Sequence, residues 1–490
     1  MDMKKENPEP RAAQPSLLRN WMSLIGSVTA IGGLFSFFTL FLIDTVAHFS
    51  NPYISILTWI VVPAFLVFGL FLLVIGVMRE RHRRKGGTSL MSTVQIDLSR
   101  PRDRRIMGVF IVGGLLFLFL SAVGSYNSYQ FTESVEFCGE TCHTVMKPEL
   151  TAHALGPHAR VACVECHIGP GASWFVRSKL SGSYQVYATL FDKYPRPIPT
   201  PIENLRPARE TCEQCHWPSQ FIGNLDQTFN YFMSDASNTP YSVRMVLKIG
   251  GSDPLLGPVG GIHWHTSASN RVDYVATDPA RQNIAWVRMT DAQGVVTVYR
   301  APGFTNTVSQ DQIRTMDCID CHNRPSHRFM SPDGAVDLAL ELDRIPRTLP
   351  WIKTNVVYVL TRPYNTDAEA REGIATFLAE HYPDEPRINQ VIPVVQQIYA
   401  DNFFPEMKSD WKVYPDNIGH LIWSGCFRCH DGSHKSADGK VITDNCNACH
   451  VILAQGSGTE MQQLTPEGQP FKHPGGDTDN TCNECHDGTL

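Results

Sequence analysis

Residues 160–174 read RVACVECHIGPGASW, and the five at its centre, Cys163-Val-Glu-Cys166-His167, decide how the rest of the chain is read. Two cysteines with a histidine directly after the second recur throughout the 490 residues. The fourteen cysteines form seven close pairs with none left over: Cys138/Cys142, Cys163/Cys166, Cys212/Cys215, Cys318/Cys321, Cys426/Cys429, Cys446/Cys449 and Cys482/Cys485. The second member of each is followed by His143, His167, His216, His322, His430, His450 and His486 in turn. Six pairs are spaced CxxCH; the first, CGETCH, has one residue more between its cysteines.

That spacing has a chemical reason. Two thioether bonds fix one edge of a porphyrin to a short turn, and the next imidazole then lies where it binds the iron axially. A zinc ribbon joins two such pairs but needs no histidine after each, and a redox CxxC occurs once, in a βαβ setting. Seven repeats without a stray cysteine exclude both, so seven covalently attached haems c are expected. The formal net charge of -6 gives no reason to expect a nucleic-acid partner.

Upstream of the motifs, three uncharged stretches are long enough to cross a bilayer: 20–43, about 53–78, and 106–126. The first has 24 residues, about 36 Å of helix, more than a hydrocarbon core requires. A signal peptide would be shorter and followed by a cleavage site, so the first stretch is read as retained. Nine lysines and arginines lie between Arg79 and Arg105, and none between Asp44 and Ile54. By the positive-inside rule, residues 1–19 and the loop 79–105 are cytoplasmic, and everything after the third span is outside. The expected location is the cytoplasmic membrane, multi-pass, with the haem domain in the periplasm. The spans contain no histidine with which to hold a haem inside the bilayer. Electrons therefore have to come from a lipid-soluble carrier, for which quinol is the candidate.

The expected fold is a three-helix membrane anchor followed by a multihaem c-type cytochrome domain, mostly α and irregular, with a small inserted β segment. Motif spacing divides the outer part into 127–225 (haem sites 1–3), 226–310 (the β segment), 311–333 (site 4), 334–410 (a helical segment) and 411–490 (a trihaem tail). Residues 241–250, 271–276 and two runs around Asp291–Gly294 read as strands, the last two as a hairpin. Helices are expected over 337–342, 352–360, 366–382 and 388–399, with Thr366 and Glu369 as a capping box. The stretch 194–201, YPRPIPTP, reads as an extended connector.

Six-coordinate irons need second ligands, and nine histidines lie outside the motifs beyond the third span: His153, His158, His263, His265, His327, His381, His420, His434 and His473. His327 and His434 closely follow motif histidines; His158, His420 and His473 lie just upstream of motifs. Of His263 and His265, one ligand and one satisfied polar residue are expected. His381 lies on an apolar helical stripe, where a core role is as good a reading as ligation, and His153 and His48 are left out. Met146 is three residues past His143; a thioether ligand there raises the reduction potential relative to two imidazoles. Whether His143 or Met146 binds the first iron stays open on these residues alone.

Taken together, CGETCHTVM, GPHARVACVECHIGPGASW, RPARETCEQCHWP and CIDCHNRPSH resemble the NapC/NirT family of membrane-anchored quinol dehydrogenases, over about residues 106–330. Three spans and a trihaem tail are similar to the extended, seven-haem inner-membrane cytochromes of metal-respiring bacteria, the ImcH type. The resemblance implies menaquinol oxidation beside the first haem, Met146 as ligand to that iron, and a lysine near the quinol, for which Lys179 is the match. Glu149 and Asp192 join Lys179 as candidates to accept or relay the quinol's protons. The expected partners are membrane lipid with its quinol pool and periplasmic c-type cytochromes, with a respiratory complex or homo-oligomer also open. Two rival readings are a terminal reductase with one open iron for a small substrate, and an electron-wiring subunit of a larger complex.

Overall fold

The computed structural model describes residues 20–47, 61–85, 99–141, 143–169, 171–202, 205–251, 255, 260–476 and 480–489. These belong to two compact units, one comprising 1–130 with 170–180, the other 131–169 with 181–490.

In the first unit, helices α1 (Trp21–Ala47) and α2 (Val62–Lys85) pack antiparallel. Small residues let their backbones meet: a Cβ on Gly26 would lie 2.5 Å from the Leu73 nitrogen, and one on Gly69 2.5 Å from the Ala30 nitrogen. Asn20 Nδ2 donates to the Gly76 carbonyl at 3.3 Å and to Ser23 Oγ at 2.9 Å. Close backbone approach and interhelical polar bonds are how helices associate where water supplies no hydrophobic drive. Windows in these two helices, Trp21–Phe38 and Val62–Arg83, are long and apolar enough to cross a membrane. The third expected crossing falls within a continuous helix, α3 (Pro101–Thr132), which is not one of those two; side chains 117–125 lie outside the described residues.

Helix α4 (His143–Leu155) and helix α5 (Ala172–Leu190) follow, separated by the second motif. The core of the second unit is built by α6 (Pro332–Glu341), α7 (Ile352–Leu360), α8 (Asp367–His381) and α9 (Ile388–Asn402). Helical spacing puts Leu340, Ile352, Val356, Ile374, Leu378, Val391 and Val395 on facing stripes, each at most 1% exposed. Full burial of such side chains contributes about 1.5–3 kcal/mol apiece. Ser331 caps α6, accepting from the Gly334 amide at 3.2 Å, with Pro332 at the first helical position, so α6 starts earlier than the apolar pattern suggests. Thr366 caps α8 as expected, but Glu369 reaches back one residue further, accepting from the Asn365 amide at 2.8 Å.

Two antiparallel sheets complete the unit. Strands β1 (Leu225–Phe232), β2 (Pro240–Leu247), β3 (Arg271–Ala276), β4 (Ile284–Thr290) and β5 (Val296–Arg300) come from the expected β segment. They are not closed among themselves. One sheet runs β1-β2-β8, where β8 is His450–Gly456; the other runs β6-β3-β4-β5-β7, with β6 Arg314–Thr315 and β7 Lys435–Ser436. β7 and β8 belong to the tail, so that segment and the β segment fold as one body. The hairpin expected around Asp291 is β4–β5, with Asp291 Oδ1 accepting from the Gln293 and Val295 amides. The connector 194–201 carries two cis prolyl bonds, at Pro197 and Pro201, and Tyr194 and Ile198 pack on the helical core.

Candidate functional site

Each motif described lies on a tight turn: short helical turns at Cys163–His167, Cys318–Cys321 and Cys482–Cys485, and a turn ending at Cys212. The backbone amides of His216, His322, His430 and His486 bond back to the carbonyl of the first cysteine of their own motif at 2.8–3.0 Å. That closure keeps both thiols and the imidazole at one place on the surface of the turn.

The turns do not enclose their cysteines evenly. Cys166, Cys215, Cys446 and Cys485 are exposed, whereas Cys163, Cys212, Cys429 and Cys449 are half-buried. At the third motif the Cys215 amide donates to the Cys212 carbonyl at 3.1 Å. The backbone is satisfied within the turn, and the Cys215 side chain is left at the protein surface rather than in a core. An attachment cysteine needs only to reach the porphyrin edge, so this outward placement is compatible with thioether formation.

Consecutive motifs are neighbours. The thiols of Cys138 and Cys163 are hydrogen-bonded, as are those of Cys212 and Cys318. Cys166 is within electrostatic reach of Cys212 and Cys215, Cys321 of Cys426, Cys449 of Cys426, and Cys482 of Cys446. Cross-links between the loops of neighbouring motifs help hold the order: the Ala208 amide donates to Asp317 Oδ2 at 3.0 Å and Arg428 Nη2 to the Asp320 carbonyl at 2.8 Å, while the sixth motif is tied to the end of β2 by Lys248 N donating to the Cys449 carbonyl at 2.8 Å. The motifs therefore form an unbroken row from the first to the seventh.

Six motif imidazoles each face one from outside the motifs. The ring centroids are 6.1 Å apart for His167 and His327, 6.0 Å for His216 and His158, and 6.3 Å for His322 and His263. They are 5.6 Å apart for His430 and His265, 6.3 Å for His450 and His420, and 5.9 Å for His486 and His473. An iron bound by two imidazole nitrogens at about 2 Å each sets ring centroids about 6 Å apart, so the residues present fit a haem at each pair. Among the described residues no three His, Cys, Asp or Glu converge as a metal cluster. Two opposed imidazoles without a third ligand suit a metal whose remaining positions are filled by a porphyrin. Burial pulls His167, His265, His322, His420 and His450 below the ordinary imidazole value, and His327 down to about 4. The neutral ring so favoured is the one with a lone pair to give a metal.

The sequence expectations meet this geometry unevenly. His263 and His265 both face motif histidines, where only one was expected to. They sit in a tight three-residue-per-turn segment, Ile262–Thr266, in which positions two apart point well away from each other, so each ring reaches a different partner. The Gly261 backbone that starts this turn has φ 82°, and a Cβ there would collide with the Lys248 carbonyl. His434 needs a correction. Asp431 folds the loop after His430 back on itself, accepting from His434 Nδ1 at 2.9 Å, while Nε2 faces the Ile284 carbonyl at 2.9 Å. The ring is 2% exposed and fills the sheet edge rather than facing a motif imidazole. His153, bonded to the Val161 carbonyl at 2.9 Å, is a satisfied core residue, and His381, stacked on Phe377 at the end of α8, is exposed. His48, Cys142 and the His143 side chain lie outside the described residues; Met146, on α4, is half-buried.

The three candidate proton acceptors differ in their surroundings. Glu149 is turned inward, its Oε2 3.5 Å from Arg324 Nη2 and 3.2 Å from His327 Nδ1. Burial pushes its carboxyl up from the ordinary value, against the pull of Arg324. Asp192 is paired with Arg196 at 2.6 Å on the surface, and the ammonium of Lys179 lies 4.9 Å from the Phe175 ring centre. No local signal ties Glu149 to His327, 178 positions away. The carboxy-terminal half of α5 and the residue after it expose a run of large side chains, Tyr184, Tyr187, Leu190 and Phe191, the last two at 74% and 61%.

Residues 100–197 match the model of the NapC/NirT cytochrome c family, N-terminal region. The cytochrome c-type protein ImcH of Geobacter sulfurreducens is 40% identical to the chain, over 96% of this chain and 95% of its own length. No solved structure matches the chain at a significant level.

Proposed function

Because the chain belongs to the NapC/NirT cytochrome c family in its ImcH-like form, we propose that it is a seven-haem menaquinol dehydrogenase that passes electrons to periplasmic c-type cytochromes. Membrane anchoring, covalent haem c and a part in electron transfer come with the family.

The observation that carries it is the row itself: seven adjoining motifs, six of them with an imidazole opposite. When bound, the haems supply a line of one-electron centres. The residues that would hold their irons are His167 with His327, His216 with His158, His322 with His263, His430 with His265, His450 with His420 and His486 with His473, with Met146 or His143 at the first site. Helix α3, with 32 residues, is about 48 Å long, enough to cross a bilayer and project beyond it. Arginines 100, 102, 104 and 105 at one end and Tyr126 and Tyr129 at the other are residues that anchor a span at the two interfaces. This supports three spans with the haem body on the periplasmic side.

Quinol is taken up near residues 126–192. The exposed apolar run on α5 suits the acyl boundary, where aromatic rings are at home. Lys179 is assigned the first contact with the quinol hydroxyl, and Asp192 the onward release of a proton to water. The test is to add a menaquinol analogue to the purified, oxidised protein and follow the haem α-band. Reduction by the isolated chain supports the proposal and counts against a passive wiring subunit; no reduction overturns it. A terminal reductase needs an iron open to substrate, and six opposed pairs leave at most the first site for it.

A further inference from the structure

Strand β2 ends at Leu247, and the residue after it carries the β segment onto the sixth motif. The Lys248 amide donates to the Cys449 carbonyl at 2.8 Å, and the Lys248 ammonium donates to the carbonyl of Asn447, inside the CNACH turn itself. A carbonyl is neutral, so this bond leaves the positive charge of Lys248 whole. Cys449 and His450 both lie within its electrostatic reach. No local signal in the tail points to this lysine, which is 199 positions from Asn447.

The two imidazoles at this site also differ from those before them in the row. His420 Nδ1 and His450 Nδ1 are buried, and among the described residues neither has a hydrogen-bond partner. The ring of His420 is covered by Phe427 of the fifth motif, stacked at 4.2 Å and 16°, and it nears its own backbone without forming a bond. At the second to fifth sites a carbonyl accepts from Nδ1 of at least one ring: Glu149 from His327, Pro325 from His158, Ile249 from His263, and Ile262 and Thr443 from His265 and His430. A carbonyl at Nδ1 makes the metal-facing nitrogen more basic and favours the more highly charged metal. Rings left unbonded donate less strongly. A positive charge nearby acts in the same direction, because it favours the state with one electron more.

We infer that Lys248 and the unbonded imidazoles of His420 and His450 hold the sixth haem's reduction potential above those of the second to fifth sites. The inference rests on reading His450 and His420 as an axial pair. An electron leaving the fifth site thus steps down in energy, and electrons arriving from the second to fifth sites collect at the sixth. By supplying Lys248, the β segment helps set the direction of flow as well as closing a sheet with the tail.

The experiment is a spectroelectrochemical titration of the full-length, haem-loaded protein, with low-spin ferric EPR to count the sites with two imidazoles. H420A is expected to remove one low-spin signal, and the midpoint lost with it should lie above at least four of the other five such midpoints. A lower place in that order overturns the inference, and an unchanged low-spin count removes the axial pair and the inference with it. K248Q, which keeps a donor and removes the charge, is expected to lower the same midpoint and leave the others in place. Lys248 is half-buried, so the shift should shrink as salt is added. K248R keeps the charge and should hold the midpoint near its native value. Unmoved midpoints in K248Q, or equal shifts in K248Q and K248R, would also overturn the inference. Should H420A fail to accumulate, the midpoint that K248Q moves is the one to be placed in the order.

Discussion

The imidazole of His263 lies within 6° of parallel to that of His322. Two residues further along the same turn, His265 stands at 86° to His430. The fold thus places near-parallel and near-perpendicular ring pairs at adjoining sites, and His158 with His216, at 80°, adds a second crossed pair. Ring orientation sets how far the iron d orbitals split. Parallel rings give a rhombic low-spin ferric EPR signal and crossed rings a strongly anisotropic one. Both kinds are expected from the oxidised protein at low temperature, and a uniform rhombic set would contradict the ring angles.

His434 and His265 flank the same motif and should behave oppositely. His265→Ala removes the ring opposite His430 and is expected to convert one haem from low spin to high spin, or to lose it. His434→Ala should leave every low-spin signal intact. Its cost is in stability, about 1–3 kcal/mol, because Asp431 and the Ile284 carbonyl are left without their buried partner. Visible and EPR spectra of the two variants, together with their melting temperatures, check both halves.

A buried triad should shape the pH dependence of the helical core. Lys353 Nζ lies 2.7 Å from Asp333 and 2.7 Å from Asp337 and also donates to the Phe232 carbonyl. Burial, aided by Asp333 and opposed by Lys353, pushes the Asp337 carboxyl from 3.8 up to about 7. Its folded value is above its unfolded one, so the proton is held more tightly in the native state. That contribution is fully present below about pH 4 and is lost as pH rises through about 7. Asp337→Asn should flatten the fall in stability across that window and change stability at pH 7 by no more than about 1 kcal/mol, whereas Lys353→Met, which strands two buried carboxyls, should cost about 3–5 kcal/mol. Chemical denaturation at several pH values reads both.

The α1–α2 hairpin depends on absent side chains. Gly69→Leu puts its first added carbon 2.5 Å from the Ala30 backbone nitrogen, so the helices have to part. The variant is expected to lose pairing of the first two helices in detergent, seen as a lower melting temperature of the anchor. An unchanged melting temperature would show that the helices do not depend on this contact.

Much of this was legible in the sequence because haem attachment is a local affair. Two thiols and an imidazole within five or six residues announce themselves, and so do the hydrophobic stretches of α1 and α2 and helices such as 352–360 and 388–399, whose periodicity follows their own core stripe. What was hidden depends on distant residues. That β1 and β2 need β8, or that β5 needs β7, is invisible in strands separated by more than a hundred residues. The roles of His263 and His265 turned on a tight turn where an extended pair would have pointed both rings the same way. His434 looked like a ligand from its place beside CFRCH, and only the Asp431 turn withdraws it. Glu149 reads in the sequence as a candidate acceptor for the quinol's protons; its enclosure by an arginine and an imidazole is hidden there, because both come from a loop beyond the β segment.

Strand β8 begins at His450, the imidazole of the sixth motif, and runs directly into its pairing with β2. A porphyrin attachment point is therefore also the first residue of a sheet edge formed with sequence from before the fourth motif. Past the seventh motif, which lies beyond both tail strands, the chain cannot be shortened from its carboxyl end without loss of β8 and then β7. Deleting the last three motifs would strip the outer strand from each sheet and leave two unpaired, adhesive borders, so a truncated product should aggregate instead of working as a shorter conductor. Changing where electrons leave this protein would accordingly require remodelling its surface, because its length is not an adjustable quantity.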